Sequence, residues 1–311
     1  MSKLLLIDAN NIGYASQHGT KLHCHGREVQ AIFHFIKTLQ SLMKDHRGYT
    51  PIILWDGKAN HRFEIHPTYK EGRNKTPQQK AEKEKYVECL PDIKKAVALL
   101  GVRQMLVSNL EADDLAGYFS MRATANKQEV KLISGDQDWL QLVSDYVVWF
   151  DPKLDKIVTA GNFAEKTGYA TQRQFLEGKA LTGDSSDAIP GVGGLGDVGA
   201  VDFMAEYGSV KGFLAEAKAG SLPGKLPVAL QRFLDNKPFT YRKKEYPPMI
   251  GTFVRNMKLM DLMNVEKPDP ELTKIISLPL NQPAFENFCS ELAFQSILKN
   301  IDVWIAPFKG A

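Results

Sequence analysis

Two tight groups of carboxylates stand out within Leu110–Leu142: Glu111, Asp113 and Asp114, then Asp136 and Asp138. Oxygen anions this close repel one another unless cations neutralise them or some are protonated. Hard oxygen donors suit Mg2+ or Mn2+, so the spacing points to divalent-metal chemistry. The competing reading is structural, because acids are favoured at a helix N-terminus with no ligand present. More acids share the setting. Asp8 and Asp56 each close a strand-like apolar run, Lys3–Ile7 and Pro51–Trp55. Asp184 and Asp187 are spaced i, i+3, on one side of a helical turn.

The elements that would position these acids follow from periodicity. Between the two leading groups, Ala112–Ala125 has helical spacing and Val130–Ile133 reads as a strand ending at Ser134-Gly135. Glu28–His46 is an amphipathic helix, with Val29, Ile32, Phe33, Ile36, Leu39, Leu42 and Met43 on one face. Tyr86–Leu100 reads as a helix, and Val102–Val107 and Tyr146–Phe150 as strands, with an edge strand near Ile157-Val158. Strand, carboxylate, loop and helix recur in that order, which predicts a parallel-type central sheet flanked by helices in an α/β fold. In such a sheet the carboxyl ends of the strands face the ligand crevice, where the acids would converge. Helices are expected over Thr171–Leu181, Val198–Tyr207, Val210–Ala217, Val228–Leu234 and Phe253–Met263, making the C-terminal third helical.

Two further stretches bear on ligands. Lys58–Lys85 is rich in cations, including Arg62, Lys70, Arg73, Lys75, Lys80 and Lys83, with few apolar residues. It is either a solvated surface or a basic arch over the acidic pocket, touching phosphates. Gly191, Gly193, Gly194 and Gly196 allow a tight turn with exposed backbone N–H groups, able to cradle a phosphate. They also fit GxGxxG, but no expected strand precedes them, which argues against a dinucleotide fingerprint. Lys237 and Arg242-Lys243-Lys244 form a small basic patch of the solvated kind. His23-Cys24-His25 is too compact for a tetrahedral zinc site.

Composition sets the class. The 311 residues, 43% hydrophobic and 24% charged, suit a globular enzyme with a substantial core. No apolar run approaches a membrane span and no secretory signal opens the chain, so no membrane partner is expected. Three scattered cysteines predict a reducing, cytoplasmic setting. Net charge is +3, but setting aside the nine acids above leaves 27 acidic residues against 39 basic ones. An acidic pocket on a basic body fits a metal-dependent enzyme with a polyanionic substrate.

In order, LLLIDANN, ILWDGKANHRFEIHPTYKEGR, LEADDLAG, LISGDQDWLQLV and LTGDSSDAIPGVGGLG resemble the flap endonuclease/5′–3′ exonuclease family. That family includes the 5′-nuclease domain of bacterial DNA polymerase I and stand-alone bacteriophage enzymes. RNMKLMDL, from Arg255, is similar to a later family segment. The resemblance implies a PIN-like core over residues 1–170 with a helical arch at 58–86. Residues 171–311 would be a helical region with a helix–three-turn–helix at 184–207. Asp8, Asp56, Glu111, Asp113 and Asp114 would surround one metal and Asp136, Asp138, Asp184 and Asp187 a second, normally Mg2+ with Mn2+ as a substitute. Two metals would clamp the scissile phosphate, activate water and stabilise the leaving oxygen, giving a 5′-phosphate and a 3′-hydroxyl.

The same resemblance places Lys70 and Arg73 as catalytic cations of the arch, in the Tyr69-Lys70-x-x-Arg73 pattern. Tyr14 would stack on a base near the 5′ end. Arg62, Tyr69, Lys75, Lys80 and Lys83 would contact DNA from the arch, and Gly191, Gly193, Gly194 and Gly196 would grip duplex backbone, with K+ on their carbonyls. Relatives commonly carry lysine or arginine after the last glycine, where this chain has Asp197-Val198-Gly199; Lys211 or the 242–244 patch would compensate. The implied function is a monomeric, structure-specific 5′ nuclease of replication or repair, acting on DNA with 5′ flaps or ends. The alternatives are a nuclease removing RNA primers from RNA–DNA hybrids and a silent module binding branched DNA.

Overall fold

A strand buried on both faces needs apolar residues at every position, and the Lys3–Asp8 run supplies them. Leu6 packs into one core with Ile52 and Leu54, while Leu5 and Ile7 point into another with Ile53 and Trp55. The computed structural model describes residues 2–73 and 76–310. Seven strands form one sheet in the order Thr273–Ile276, Arg103–Val107, Tyr49–Trp55, Lys3–Asp8, Val130–Ile133, Val147–Asp151 and Lys156–Val158. The inner five are parallel and the two edges antiparallel. Helices Ala9–Gln17, Gln30–Asp45 and Pro77–Leu99 cover one face. Ala112–Ala125, Gln172–Thr182 and Met249–Met260 cover the other. The expected α/β architecture with a flanked parallel sheet is the one observed. No helix among the described residues is long and apolar enough to cross a membrane.

Chain order reverses at Lys3–Asp8. The chain first builds outward through Tyr49–Trp55 and Arg103–Val107, then crosses to add Val130–Ile133 and Val147–Asp151 on the other side. This is a topological switch point, where carboxyl ends open a crevice. The Ala112–Ala125 helix lies close against the chain at Leu262, where Gly117 leaves room. A Cβ there would stand 2.1 Å from the Leu262 carbonyl oxygen.

Three elements differ from the sequence expectation. The helix expected from Tyr86 starts earlier, at Pro77, and runs to Leu99. Its first turns lack apolar residues, so periodicity misses them. A capping box between Thr76 and Gln79, with Pro77 in the first turn, starts the helix instead. The C-terminal third is not purely helical. Thr273–Ile276 joins the sheet edge, and Phe285 and Phe288 pack in the same core as Leu5 and Ile7. The tail from Thr273 therefore packs against the α/β unit. Finally, Phe239–Tyr241 and Lys244–Tyr246 form an antiparallel hairpin around the 242–244 patch.

Candidate active site

Four of the five inner strands deliver an acid to the crevice. Asp8 ends Lys3–Asp8, Asp56 follows Tyr49–Trp55, and Glu111-Ala112-Asp113 follows Arg103–Val107 across a short turn. Asp136 follows Val130–Ile133 and caps the Gln137–Leu142 turn, its carboxylate accepting from the Asp138 N–H at 2.8 Å. Neutral donors fix these side chains. Asp8 accepts from the Asn11 N–H at 3.0 Å and the Ser134 hydroxyl at 2.7 Å. Asp56 accepts from the Asn10 amide at 2.8 Å and the Ala112 N–H at 2.8 Å. The Trp139 indole donates to Asp113 at 2.7 Å. Donors of this kind orient a carboxylate and leave it lone pairs for a cation.

The electrostatics show crowding. Burial, then the Asp56 charge, push the Asp8 carboxyl up to about 7. Burial also raises Asp113, with added repulsion from Asp136, Asp56 and Asp8. Asp136 is raised chiefly by burial, against the pull of the Lys179 ammonium, and it also feels Asp187 and Asp184. Asp136 thus belongs to both acidic groups. Among the described residues, no three acids, histidines or cysteines close into a ready cage for an ion. All-oxygen donors that repel one another, several of them partly open to solvent, fit a hard divalent cation that keeps part of its water shell. Asp8, Asp56, Asp113 and Asp136 would hold one such ion, and Asp136, Asp138, Asp184 and Asp187 a second.

Cations lie among the acids. Lys70 donates to Glu111 at 2.6 Å, and Arg73 pairs with Asp187. Lys179 pairs with Asp138 and lies 3.5 Å from Asp184. Burial raises the Asp184 carboxyl, but hydrogen bonds from Ser186 and the Lys179 charge bring it below the ordinary carboxylate value. Lys179, Asn10, Asn11 and Ser134 join the site without a local signal in the sequence. Lys179 looks like an ordinary cation in a helix's last turn, and only the fold brings it to the acids.

Several expected residues sit elsewhere than their assigned tasks require. Arg62 is 3% exposed and clamps both oxygens of Asp114, at 2.6 and 2.8 Å. It also donates to Glu111 at 3.3 Å and to the Leu259 carbonyl at 2.9 Å. Tyr69 is buried and donates to Glu111 at 3.0 Å. Arg62 and Tyr69 thus lie inside the protein, on Asp114 and Glu111, and Asp114 faces the Arg62 guanidinium with both oxygens. Lys80 and Lys83 are exposed on the long helix, as a contact would need. Lys75 lies outside the described residues. Tyr14 is half-buried, edge-on to His18 at 4.9 Å, and lines a groove with Asn11 and Gly135. The glycine turn lies beyond Asp187, preceded by the two-residue strand Ile189–Pro190.

Arg62→Ala should lower stability by about 3–5 kcal/mol, because it strands Asp114 as a buried charge, while Glu111 keeps Lys70 and Tyr69. Thermal unfolding checks this, with a drop of roughly 10 °C expected. Unchanged stability with weaker DNA binding would return Arg62 to the DNA surface.

Comparison with known proteins places the chain. The model of the 5′-3′ exonuclease N-terminal resolvase-like domain matches residues 3–168, and that of the 5′-3′ exonuclease C-terminal SAM fold matches residues 170–242. The 5′-3′ exonuclease of Aquifex aeolicus is 28% identical over 305 residues, covering 97% of this chain and 96% of the relative. Thermostable DNA polymerase I of Thermus filiformis is 33% identical over 234 residues, which are 74% of this chain. The match spans only 27% of that polymerase, about a quarter of its length. In fold, the chain is similar to the bacteriophage T5 D15 flap endonuclease, crystallised with DNA and metal ions. The TM-score is 0.67 at 23% identity, covering 99% of this chain and 98% of that one. The acids at the carboxyl ends of a parallel sheet and the two consecutive domain matches lead to one conclusion: the chain belongs to the 5′–3′ exonuclease family of nucleases.

Proposed function

We propose that this chain is a divalent-metal-dependent 5′ nuclease that cuts DNA at 5′ flaps and 5′ ends, leaving a 5′-phosphate and a 3′-hydroxyl. The observation that carries the reading is the convergence of Asp8, Asp56, Asp113 and Asp136 at the switch point, with Asp184 and Asp187 beside them. Two bound divalent cations would supply Lewis acidity toward the phosphodiester and a hydroxide nucleophile near neutral pH. The chain's own residues do the rest. Ser134, Asn10, Asn11 and Trp139 hold the carboxylates in fixed directions, so little reorganisation is needed during reaction. Lys70 and Arg73 rest on Glu111 and Asp187 at the rim, where an entering phosphate competes for them. Lys179 offsets the charge of Asp138 and Asp184. A silent binding module has no use for this many crowded, repelling carboxylates, which lower stability unless cations neutralise them.

The test is a 5′-flap DNA labelled separately at each end, incubated with Mg2+ and with EDTA. Mg2+-dependent release of an oligonucleotide near the junction is expected. Mononucleotides alone would make the enzyme an end-trimming exonuclease. Tight binding with no cleavage under Mg2+ or Mn2+ would overturn the nuclease reading for this chain.

A further inference from the structure

Arg242-Lys243-Lys244 is the one place in the chain where three basic residues follow one another. The acidic site does not use them, and the C-terminal family match ends among them, at residue 242. They form the tip of the Phe239–Tyr246 hairpin, in which Phe239 pairs with Tyr246, Thr240 with Glu245 and Tyr241 with Lys244. The two tip residues both have left-handed backbone, Arg242 at φ 48° and Lys243 at φ 62°. A two-residue hairpin of this kind favours Asn-Gly. An ordinary side chain there is strained, because its Cβ crowds the following carbonyl. Strain kept at two exposed cations is the kind of outlier from which a functional inference can start.

The hairpin's position says what the cations serve. Strand alternation puts Phe239, Tyr241, Lys244 and Tyr246 on one face and Thr240 and Glu245 on the other. The aromatic face is packed. Phe239 and Tyr246 stack at 5.3 Å, and Arg232 lies 4.9 Å over Phe239. Tyr246 in turn lies on Gly193, where a Cβ would come within 2.6 Å of its ring. The hairpin is therefore fastened to the glycine turn. That turn needs outside charge, because Ala180–Val210 contains no lysine or arginine and five acids. Between Lys225 and Tyr246, by contrast, six basic residues face two acidic ones. Among the described residues, none of Arg232, Lys237, Arg242, Lys243 or Lys244 forms an ion pair with a carboxylate.

We infer that the Phe239–Tyr246 hairpin is a contact for the sugar–phosphate backbone of duplex DNA, lending the glycine turn the cations its own sequence lacks. The choice of DNA as the polyanion rests on the nuclease reading; the contact itself rests on the hairpin. Phosphate neutralisation by each cation releases counterions, so binding weakens with salt by about 0.9 logarithmic units per decade for each contact.

The test is Arg242→Asn combined with Lys243→Gly, which gives the turn its preferred residues and removes both charges. Binding to a blunt duplex is measured in EDTA across a salt series, so that cleavage plays no part. The variant should unfold at the same or a higher temperature than the parent. Its salt slope should be lower by roughly two, with weaker binding at low salt. An unchanged slope and affinity would overturn the proposal, as would a parent protein that binds no duplex. Equal loss on a single strand of the same length would overturn the assignment to duplex. A parent that binds duplex and loses slope in the variant, yet cleaves nothing with Mg2+, would sink the nuclease reading and leave the hairpin contact standing.

Discussion

Asp136→Asn should reduce kcat on a 5′-flap substrate by about 10^3-fold or more while leaving the protein folded and able to bind DNA. The size follows from position. Asp136 is half-buried and stands between the two acidic groups, raising Asp8 and Asp113 and itself raised by Asp187 and Asp184. A carboxylate shared in this way would influence both metals, and losing several kcal/mol of charge stabilisation corresponds to at least that rate factor. Asparagine keeps the volume and an oxygen for the Asp138 N–H, so the turn it caps should survive. The metal-free variant should be at least as stable as the parent, because one of the crowded like charges has gone. Added Mg2+ should then raise its unfolding temperature less than it raises the parent's. Single-turnover cleavage, DNA binding and thermal unfolding with and without Mg2+ check the set. Turnover within about tenfold of the parent would remove Asp136 from the reacting centre and break the two-metal assignment.

The acids were readable in the sequence because their signal is local. A strand buried on both faces reads as an unbroken apolar run, and the residue at its end is then at the sheet's edge, as for Asp8 and Asp56. What stayed hidden depends on side chains that meet across the fold. Arg62 lies in a basic stretch, and nothing local separates it from Lys80; only its contact with Asp114 on another helix takes it inside. Asp114 looks equivalent to Asp113 in EADD, yet the two are on different sides of the helix. One meets Trp139 and the other Arg62. Lys179 meets Asp138 across 41 positions of sequence. The hairpin was missed for another reason. Its turn carries Arg-Lys where the usual signal is Asn-Gly, so the chemistry that makes it of interest also conceals it. The edge strand Thr273–Ile276 is short, with its ends half-buried and its middle exposed, and so lacks the strict alternation that marks a strand.

Lys70→Ala and Lys70→Gly should each lower kcat by about 10^2–10^3-fold, with DNA affinity changed by no more than about threefold. Two features of Lys70 can be separated by this pair. Its ammonium reaches Glu111 at 2.6 Å, beside the acids. Its backbone is left-handed, at φ 60°, while its N–H donates to the Asp187 carbonyl at 2.8 Å. The residue thus ties the rim to the segment carrying the last pair of acids, and it does so in a conformation glycine would adopt without strain. Alanine removes the charge and keeps the strain; glycine removes both. Stability should therefore follow the backbone, with Lys70→Gly more stable than Lys70→Ala by about 1 kcal/mol. Activity should follow the side chain, with both variants equally impaired. Recovery of activity in Lys70→Gly would mean that the backbone shape, not the ammonium, is what cleavage needs. A loss of affinity that accounts for the whole fall in kcat/KM, with kcat unchanged, would make Lys70 an anchor for ground-state DNA instead of a group acting on the phosphate as its charge develops.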